Sequence, residues 1–237
     1  MSTNQASVSV VLSKTTRQIM SNFSKISASM ILQPGKILRV ADMETGTVFA
    51  RSKIEEEFPF DFPIVDISQL LSVMDLTTMK DCSLKFVPET NETQAHILLQ
   101  GSGVSVRFVA SSSMLVQLPE VEPEVEDNSP DIIFEAPISH QALTDFKSAC
   151  RTLGLTHCLL KNENGRAYVV GQDPTTDASN DYVLDLGETK LDDCELYILL
   201  SSIKFIESDY IFRATSAFLL GMTPNKKIEY FVSAEQM

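Results

Sequence analysis

Side chains capable of chemistry are present but are not arranged for catalysis. The three histidines, His96, His140 and His157, fall in no nucleophile or metal-ligand spacing. The adjacent carboxylates Glu55–Glu57 and Asp192-Asp193 read as solvated loop acids rather than as a general acid–base pair. Cys82, Cys150, Cys158 and Cys194 form no CxxC pair and have no histidine at ligand spacing, so reduced, mostly buried thiols are expected. Pro34-Gly35-Lys36 lacks the other residues of a phosphate loop, and Gly101-Ser102-Gly103 lacks the strand-to-helix setting of a dinucleotide site. Asn91-Glu92-Thr93 matches a glycosylation acceptor, but no secretory signal accompanies it. An enzyme is therefore not expected, and no cofactor or metal is implied.

The chemistry that the spacing does support is contact with an anion. Between Leu12 and Ile26, the residues Leu12, Ile19, Phe23 and Ile26 recur at helical intervals, which predicts a helix over this stretch with Ser13 as its cap. Lys14, Arg17, Ser21 and Lys25 fall on the other side, and the stretch contains no acid although the whole chain has a net charge of −13. A second amphipathic helix is predicted over Ser139–Leu153, with Leu143, Phe146, Cys150 and Leu153 on its apolar stripe. His140, Thr144, Lys147 and Arg151 lie opposite, diluted by Asp145. Lys204 and Lys80 are weaker candidates, because their helical context is short or uncertain. The alternative for every one of these cations is an ordinary solvated side chain.

The net charge argues against a protein that coats nucleic acid by bulk attraction, but not against one that holds DNA topologically around a local basic lining. Residues 1–118 are nearly balanced at −1, residues 119–131 contribute −6 and residues 132–237 another −6.

The elements that would position these faces follow from pattern and turn signals. Strands are expected over Ser7–Leu12, Met30–Leu32, Ile37–Ala41 and Thr47–Lys53, with Gln33-Pro34-Gly35-Lys36 as a hairpin turn. A short helix is expected over Ile67–Leu76, then strands near Leu84–Val87, Ala95–Gln100 and Val104–Ala110. Pro119–Asp131 holds six acids, three prolines and no base, and reads as an extended linker. Beyond it come a strand at Ile132–Phe134, the second helix, and strands at Thr156–Leu160 and Arg166–Val170 joined by the turn Asn162-Glu163-Asn164-Gly165. Further strands are expected at Tyr182–Leu186, Glu195–Leu199, Tyr210–Arg213, Ala217–Leu220 and Ile228–Val232. The order strand, basic-faced helix, hairpin thus occurs twice, which predicts an α+β chain of two similar domains, 1–118 and 132–237, joined by the acidic linker 119–131. No apolar run is long enough to span a bilayer and the N-terminus lacks a signal-peptide pattern, so an intracellular protein without a membrane role is expected.

Several stretches resemble a known family. Leu12-Ser13-Lys14, Thr16, Ile19, Asn22-Phe23, Ile26 and the Gly35-Lys36 turn resemble the start of the sliding clamps of T-even-type bacteriophages. Phe60-Asp61-Phe62, Val65-Asp66-Ile67 and the run LLSVMDL resemble that family's second helix and its approach. The match covers roughly residues 12–76 and rests on element order beyond them. About ten residues precede the family pattern, and the interdomain segment is more acidic than the family requires.

The resemblance implies a homotrimeric ring, two DNA-clamp domains per chain, helices on the inner face and antiparallel sheets outside. It implies a protein that encircles double-stranded DNA without reading its sequence, tethers DNA polymerase, is opened by an ATP-driven clamp loader and assists late transcription. Its place would be the cytoplasm of an infected bacterial host. Lys14, Arg17, Lys25, Lys147, Arg151 and Lys204 would then face DNA. Carried-over topology pairs the strand holding Val104, Val106 and Phe108 with a neighbour's strand holding Tyr182, Leu184 and Leu186; the alternative is that both are internal strands. Leu118, Val121, Tyr230, Phe231 and Val232 sit where the family has its pocket for partner peptides, though any of them could equally be core. The reading from another class is a structural or scaffolding oligomer of a phage with no DNA-binding role.

Overall fold

A computed structural model of the chain describes residues 7–176 and 180–235. It divides into two compact units, one of Met1–Glu44 with Ala50–Glu120, the other of Thr45–Phe49 with Val121–Met237.

The first unit runs β1 (Val8–Val10), α1 (Lys14–Phe23), β2 (Met30–Leu32), β3 (Gly35–Ala41), β4 (Val48–Phe58), β5 (Phe62–Ile64), α2 (Ile67–Met74), β6 (Ser83–Val87), β7 (His96–Gln100) and β8 (Ser105–Val109). The first two residues of β4 belong to the second unit. β1, β6, β7 and β8 form an antiparallel sheet in that order, with registers Val8↔Phe86, Leu84↔Leu99 and Ile97↔Phe108. Alternation decides its faces: Leu84, Phe86, Ile97 and Leu99 are buried. Against them pack Ile19, Met20 and Phe23 of α1 and Ile67, Leu70 and Met74 of α2, all buried. Phe86 is the hub, with ring centroids 5.7 to 5.9 Å from those of Phe58, Phe60 and Phe62.

Three expectations for this unit need correction. The first helix is shorter than Leu12–Ile26: Ser13 caps its start by accepting the Thr16 N–H at 3.2 Å, and it ends at Phe23 with Ser24 as its C-cap. Leu12 and Ile26 are buried beyond its ends, and Lys25 lies outside it. Gln33–Lys36 is not a hairpin turn, because β2 pairs with β5 and not with β3. Pro34 has no N–H for a ladder and Gly35 has φ +103°, so the chain turns a corner into a different sheet. Glu55–Glu57 are not loop acids but the continuation of β4, in which Ser52, Ile54 and Phe58 are buried while Lys53, Glu55 and Glu57 are exposed.

The second unit runs β9 (Phe134–Ile138), α3 (His140–Leu153), β10 (His157–Glu163), β11 (Arg166–Gln172), β12 (Tyr182–Glu188), β13 (Cys194–Leu199), β14 (Tyr210–Ala214), β15 (Phe218–Met222) and β16 (Ile228–Ser233). One antiparallel sheet has the order β12-β11-β10-β13, and its tightest turn is Asn164-Gly165, with φ of +53° and +75°. Two consecutive positive φ values suit a two-residue hairpin loop, and Asn-Gly tolerates them at least cost. A second sheet orders β9-β14-β15-β16, the same order as β1-β6-β7-β8: the strand before the helix, then three consecutive strands. The repeat expected from hydropathy is therefore a repeat of topology.

The strand expected at Ile132–Phe134 begins only at Phe134 and includes Pro137, which is tolerated because β9 is an edge strand. The end of the acidic segment is fastened rather than free. Asp127 accepts from Arg213 Nη1 at 3.0 Å and from Lys226 Nζ at 2.5 Å, while Arg213 Nε donates to Glu135 at 2.6 Å. The hydrogen bonds from Lys226 and Arg213 hold the Asp127 carboxyl below the usual carboxylate range.

Phe86→Ala removes the ring shared by three others and should cost about 3–5 kcal/mol of stability. Urea unfolding of the two proteins measures the loss directly.

Candidate nucleic-acid and subunit interfaces

The basic helix is held by a residue that the sequence pattern did not single out. Glu56, on β4, accepts the Ser13 N–H at one carboxylate oxygen and the Thr16 hydroxyl at the other, the latter at 2.6 Å. Helix α1 has no acid in its own first turn, so Glu56 supplies the negative charge that the helix N-terminus favours. Burial works to raise the Glu56 pKa, but the hydrogen bonds from Thr16 and Ser13 prevail and hold it below the usual range. With Ile19, Met20 and Phe23 in the core, the helix is fixed at its start and along one side, and its cations are left on the other.

Lys14 and Lys25 are exposed and Arg17 is half-buried. A surface cavity of about 640 Å³ is walled by Lys14, Arg17, Gln18 and Ser21 of α1 and by Asp75, Lys80 and Asp81 beyond α2. The structure thus brings Lys80, an uncertain candidate by sequence, to the groove of Lys14 and Arg17. Its proximity was hidden because it depends on the 3-10 turn Thr77–Met79, which no periodicity signals.

Helix α3 is capped at Ser139, whose hydroxyl accepts the Ala142 N–H at 3.2 Å, and Asp209 accepts the His140 N–H at 2.8 Å. Lys147 is half-buried and its ammonium donates to the Ile203 carbonyl at 2.8 Å. Arg151 is exposed in the last turn, where the helix dipole favours a cation. Lys204 is half-buried just past the 3-10 turn Leu200–Ser202, not on a helix.

Of the strands expected at a subunit boundary, β8 ends the first unit's sheet and β12 ends a sheet of the second. Val106 and Phe108 are half-buried, as are Tyr182, Leu184 and Leu186, while Val104 lies just before β8 and is exposed. The Ala110 N–H bonds to Ala95 O and the Gly101 N–H to Val104 O, so the even-numbered residues of β8 carry the ladder to β7. The backbone groups of Ser105, Arg107 and Val109 consequently point away from it. In the second unit the corresponding strand, β16, is covered: the Ser233 N–H donates to Thr47 O at 2.9 Å, and Phe231 packs on Phe49.

Of the five residues expected to form one apolar pocket, three lie in the core of the second unit. Tyr230, Phe231 and Val232 are core residues, 0, 3 and 0% exposed, because the central strands of a covered sheet have both faces packed. The Tyr230 hydroxyl accepts the Ile206 N–H at 3.2 Å, deep against Phe205 and Tyr210. Leu118 is half-buried and Val121 is 83% exposed.

Two histidines are hydrogen-bonded within the fold, and three of the four cysteines are buried. His96 is buried against Gln94 O, and His157 bonds Glu235 at 2.7 Å and Thr156 at 2.8 Å. Among the described residues, no three His, Cys, Asp or Glu side chains could hold a metal. Burial pushes the Cys150 thiol up to about 11 and raises those of Cys82, Cys158 and Cys194 as well. Among the described residues no helix is long and apolar enough to cross a membrane.

Comparison with known proteins follows the geometry. Solved clamps share the fold over nearly the whole chain. The PCNA2–PCNA3 complex of Sulfolobus tokodaii aligns with TM-score 0.62 and 17% identity, covering 97% of this chain and 99% of that one. The DnaN sliding clamp of Pseudomonas aeruginosa aligns with TM-score 0.69 and 16% identity, covering 100% of this chain and 67% of that longer one. The fold is that of the DNA sliding clamps.

Within that class, the model of the DNA polymerase processivity factor family matches residues 13–104. The sliding clamp of Vibrio phage KVP40 is 24% identical over 234 residues, 95% of this chain and 99% of that protein. That of Escherichia phage RB69 is 23% identical over 167 residues, 70% of this chain and 68% of that protein. The chain is thus similar in sequence to the sliding clamps of T-even-type phages.

Two outcomes test the site's construction. Glu56→Gln should cost about 1–2 kcal/mol at neutral pH. Because the folded pKa of Glu56 is depressed, its contribution is present above the unfolded value near 4.5 and is lost as pH falls through the folded one. The stability difference between the two proteins, followed by denaturant unfolding against pH, should therefore shrink below that value. The raised thiol pKa values should also make all four cysteines react with a thiol reagent at pH 8 at least about tenfold more slowly in the folded than in the unfolded chain.

Proposed function

We propose that the chain is the processivity clamp of a phage replication system, a homotrimeric ring that encircles duplex DNA without sequence preference and tethers the DNA polymerase. It acts in the infected bacterial cell, without catalysing a reaction itself. An ATP-driven clamp loader opens the ring, and the same ring assists late transcription. Support for the polymerase tether comes from the family match and the phage relatives. Residues 1–118 and 132–237 are read as the two clamp domains, with 119–131 between them. Lys14, Arg17, Lys25, Arg151, Lys147 and Lys204 are the residues assigned to DNA.

The observation that carries the ring is an asymmetry between repeats. The two four-strand runs are equivalent in topology, yet among the described residues β16 has a chain segment along it and β8 does not. An uncovered edge strand with outward-pointing N–H and C=O groups is a template for another strand, and β12 offers one at the edge of its own sheet. Head-to-tail pairing of β8 on one chain with β12 on the next generates a closed ring when the rotation closes. Such a ring needs few phosphate contacts, because release requires opening a protein interface. A scaffolding oligomer would share the edge pairing but gives no reason for cations gathered on one face of α1.

Light scattering across a dilution series tests this. A species near three times 26.3 kDa that falls towards monomer on dilution is expected, and a monomer at all concentrations would overturn the ring. Arg107→Pro removes an N–H that points away from β7, so it should leave the first unit folded by circular dichroism while weakening trimerisation by at least about tenfold.

A further inference from the structure

The run 127–132 enters the second unit with few bonds to hold it there. Its backbone bonds are local: the Ser129 N–H donates to Glu126 O at 3.1 Å and the Ile132 N–H to Ser129 O at 3.3 Å. Backbone attachment to the strands begins at Ile133, whose N–H donates to Ala214 O at 2.9 Å. Among the described residues, Asp127 is the side chain of this run that reaches the rest of the unit. It does so through Arg213 of β14 and Lys226 of the turn between β15 and β16.

The two cations differ in what they need from it. Arg213 is 7% exposed, and a buried guanidinium must keep a counter-charge. Glu135 on the neighbouring strand supplies one at 2.6 Å, in the register Arg213↔Glu135. Asp127 can therefore leave without stranding Arg213. The pair with Lys226 is open to water, with side chains 58% and 50% exposed, so salt screens it. Yet Lys226 has φ +53°, where glycine or asparagine is at ease and lysine is not. The bonds of the turn need no side chain at this position. The Lys226 N–H donates to Thr223 O at 2.8 Å, and Asn225 Oδ1 accepts the Lys227 N–H at 3.0 Å and the Thr223 hydroxyl at 2.9 Å. What lysine adds there is its ammonium on Asp127.

We propose that residues 127–132 form a releasable strap, closed while Asp127 bridges Arg213 and Lys226 and opened by salt or by loss of either partner charge. Glu135 keeps Arg213 paired in both states. Opening frees about 19 Å of chain, at roughly 3.1 Å per extended residue, and so lengthens the tether that enters the second unit after Glu120. The strap thereby switches this run between a fixed edge of the unit and a mobile tether. All four charged side chains lie within the second unit, so the device does not depend on reading the chain as a clamp.

The test uses the full-length chain and a glutamyl endopeptidase, with the cut after Glu126 followed by mass spectrometry at low and at high salt. Each rate is divided by that of a free peptide of residues 119–133 carrying the same substitution, which cancels the preferences of the protease. The parent should be cut at least about threefold faster at high salt. Asp127→Ala should be cut at least about tenfold faster than the parent at low salt and respond little to salt. Its Tm should stay within about 3 °C of the parent, because Glu135 still pairs Arg213. Lys226→Gly should be cut at least about threefold faster at low salt without lowering Tm by more than about 3 °C, since glycine accepts the backbone angle there. Read at low salt, that variant separates strap opening from any effect of salt on assembly. A parent rate indifferent to salt, or a Lys226→Gly rate equal to the parent's, would overturn the strap. A larger fall in Tm for Asp127→Ala would overturn it too, by making Asp127 a fixed support of the fold.

Discussion

The placement of the basic helix depends on one carboxylate. Glu56 closes the first turn of α1 by accepting a backbone N–H and a hydroxyl, from a strand more than forty residues further along the chain. A ten-residue helix is marginal by itself in water, so its direction must come from tertiary contacts. Buried Ile19, Met20 and Phe23 fix which side faces the core, and Glu56 fixes where the helix begins. Once both are set, Lys14 and Arg17 can point only outward. The same carboxylate is consumed in doing so, and it therefore does not neutralise the cations it helps to aim.

The second constraint is an unmet one. Backbone N–H and C=O groups at a sheet edge keep water or find another strand. In the second unit Thr47 meets the need of Ser233, whereas in the first unit no strand among the described residues lies beyond Ser105, Arg107 and Val109. In the proposed reading the acidic balance of the chain works alongside this, since a net charge of −13 repels DNA in general and leaves the local basic face as the place to meet it.

Much of this was legible in the sequence where one residue type recurs at a helical or strand period. Leu143, Phe146 and Cys150 mark α3 plainly, and Asn164-Gly165 marks its hairpin by the backbone angles it allows. Failures came where the deciding contact is distant. The run Glu55–Glu57 reads as solvent-facing by composition, yet it lies in a strand whose middle acid reaches α1. Gln33–Lys36 has the residues of a hairpin, but β2 finds its partner in β5. In β16 the sequence leaves Tyr230, Phe231 and Val232 as either pocket or core, and only the full sheet reveals that both faces are covered. Lys80 was uncertain because a 3-10 turn carries it to α1.

The most direct test of the central claim, that the chain holds DNA by closing around it, is retention on circular against linear duplex. The protein is loaded onto a nicked circle with the clamp loader that the proposed function calls for, washed at a salt concentration that abolishes binding to a short duplex, and the circle is then cut once. Retention on the circle through the salt wash, followed by release on linearisation, is the predicted result. Loss at the salt step, or equal retention before and after the cut, would contradict the account.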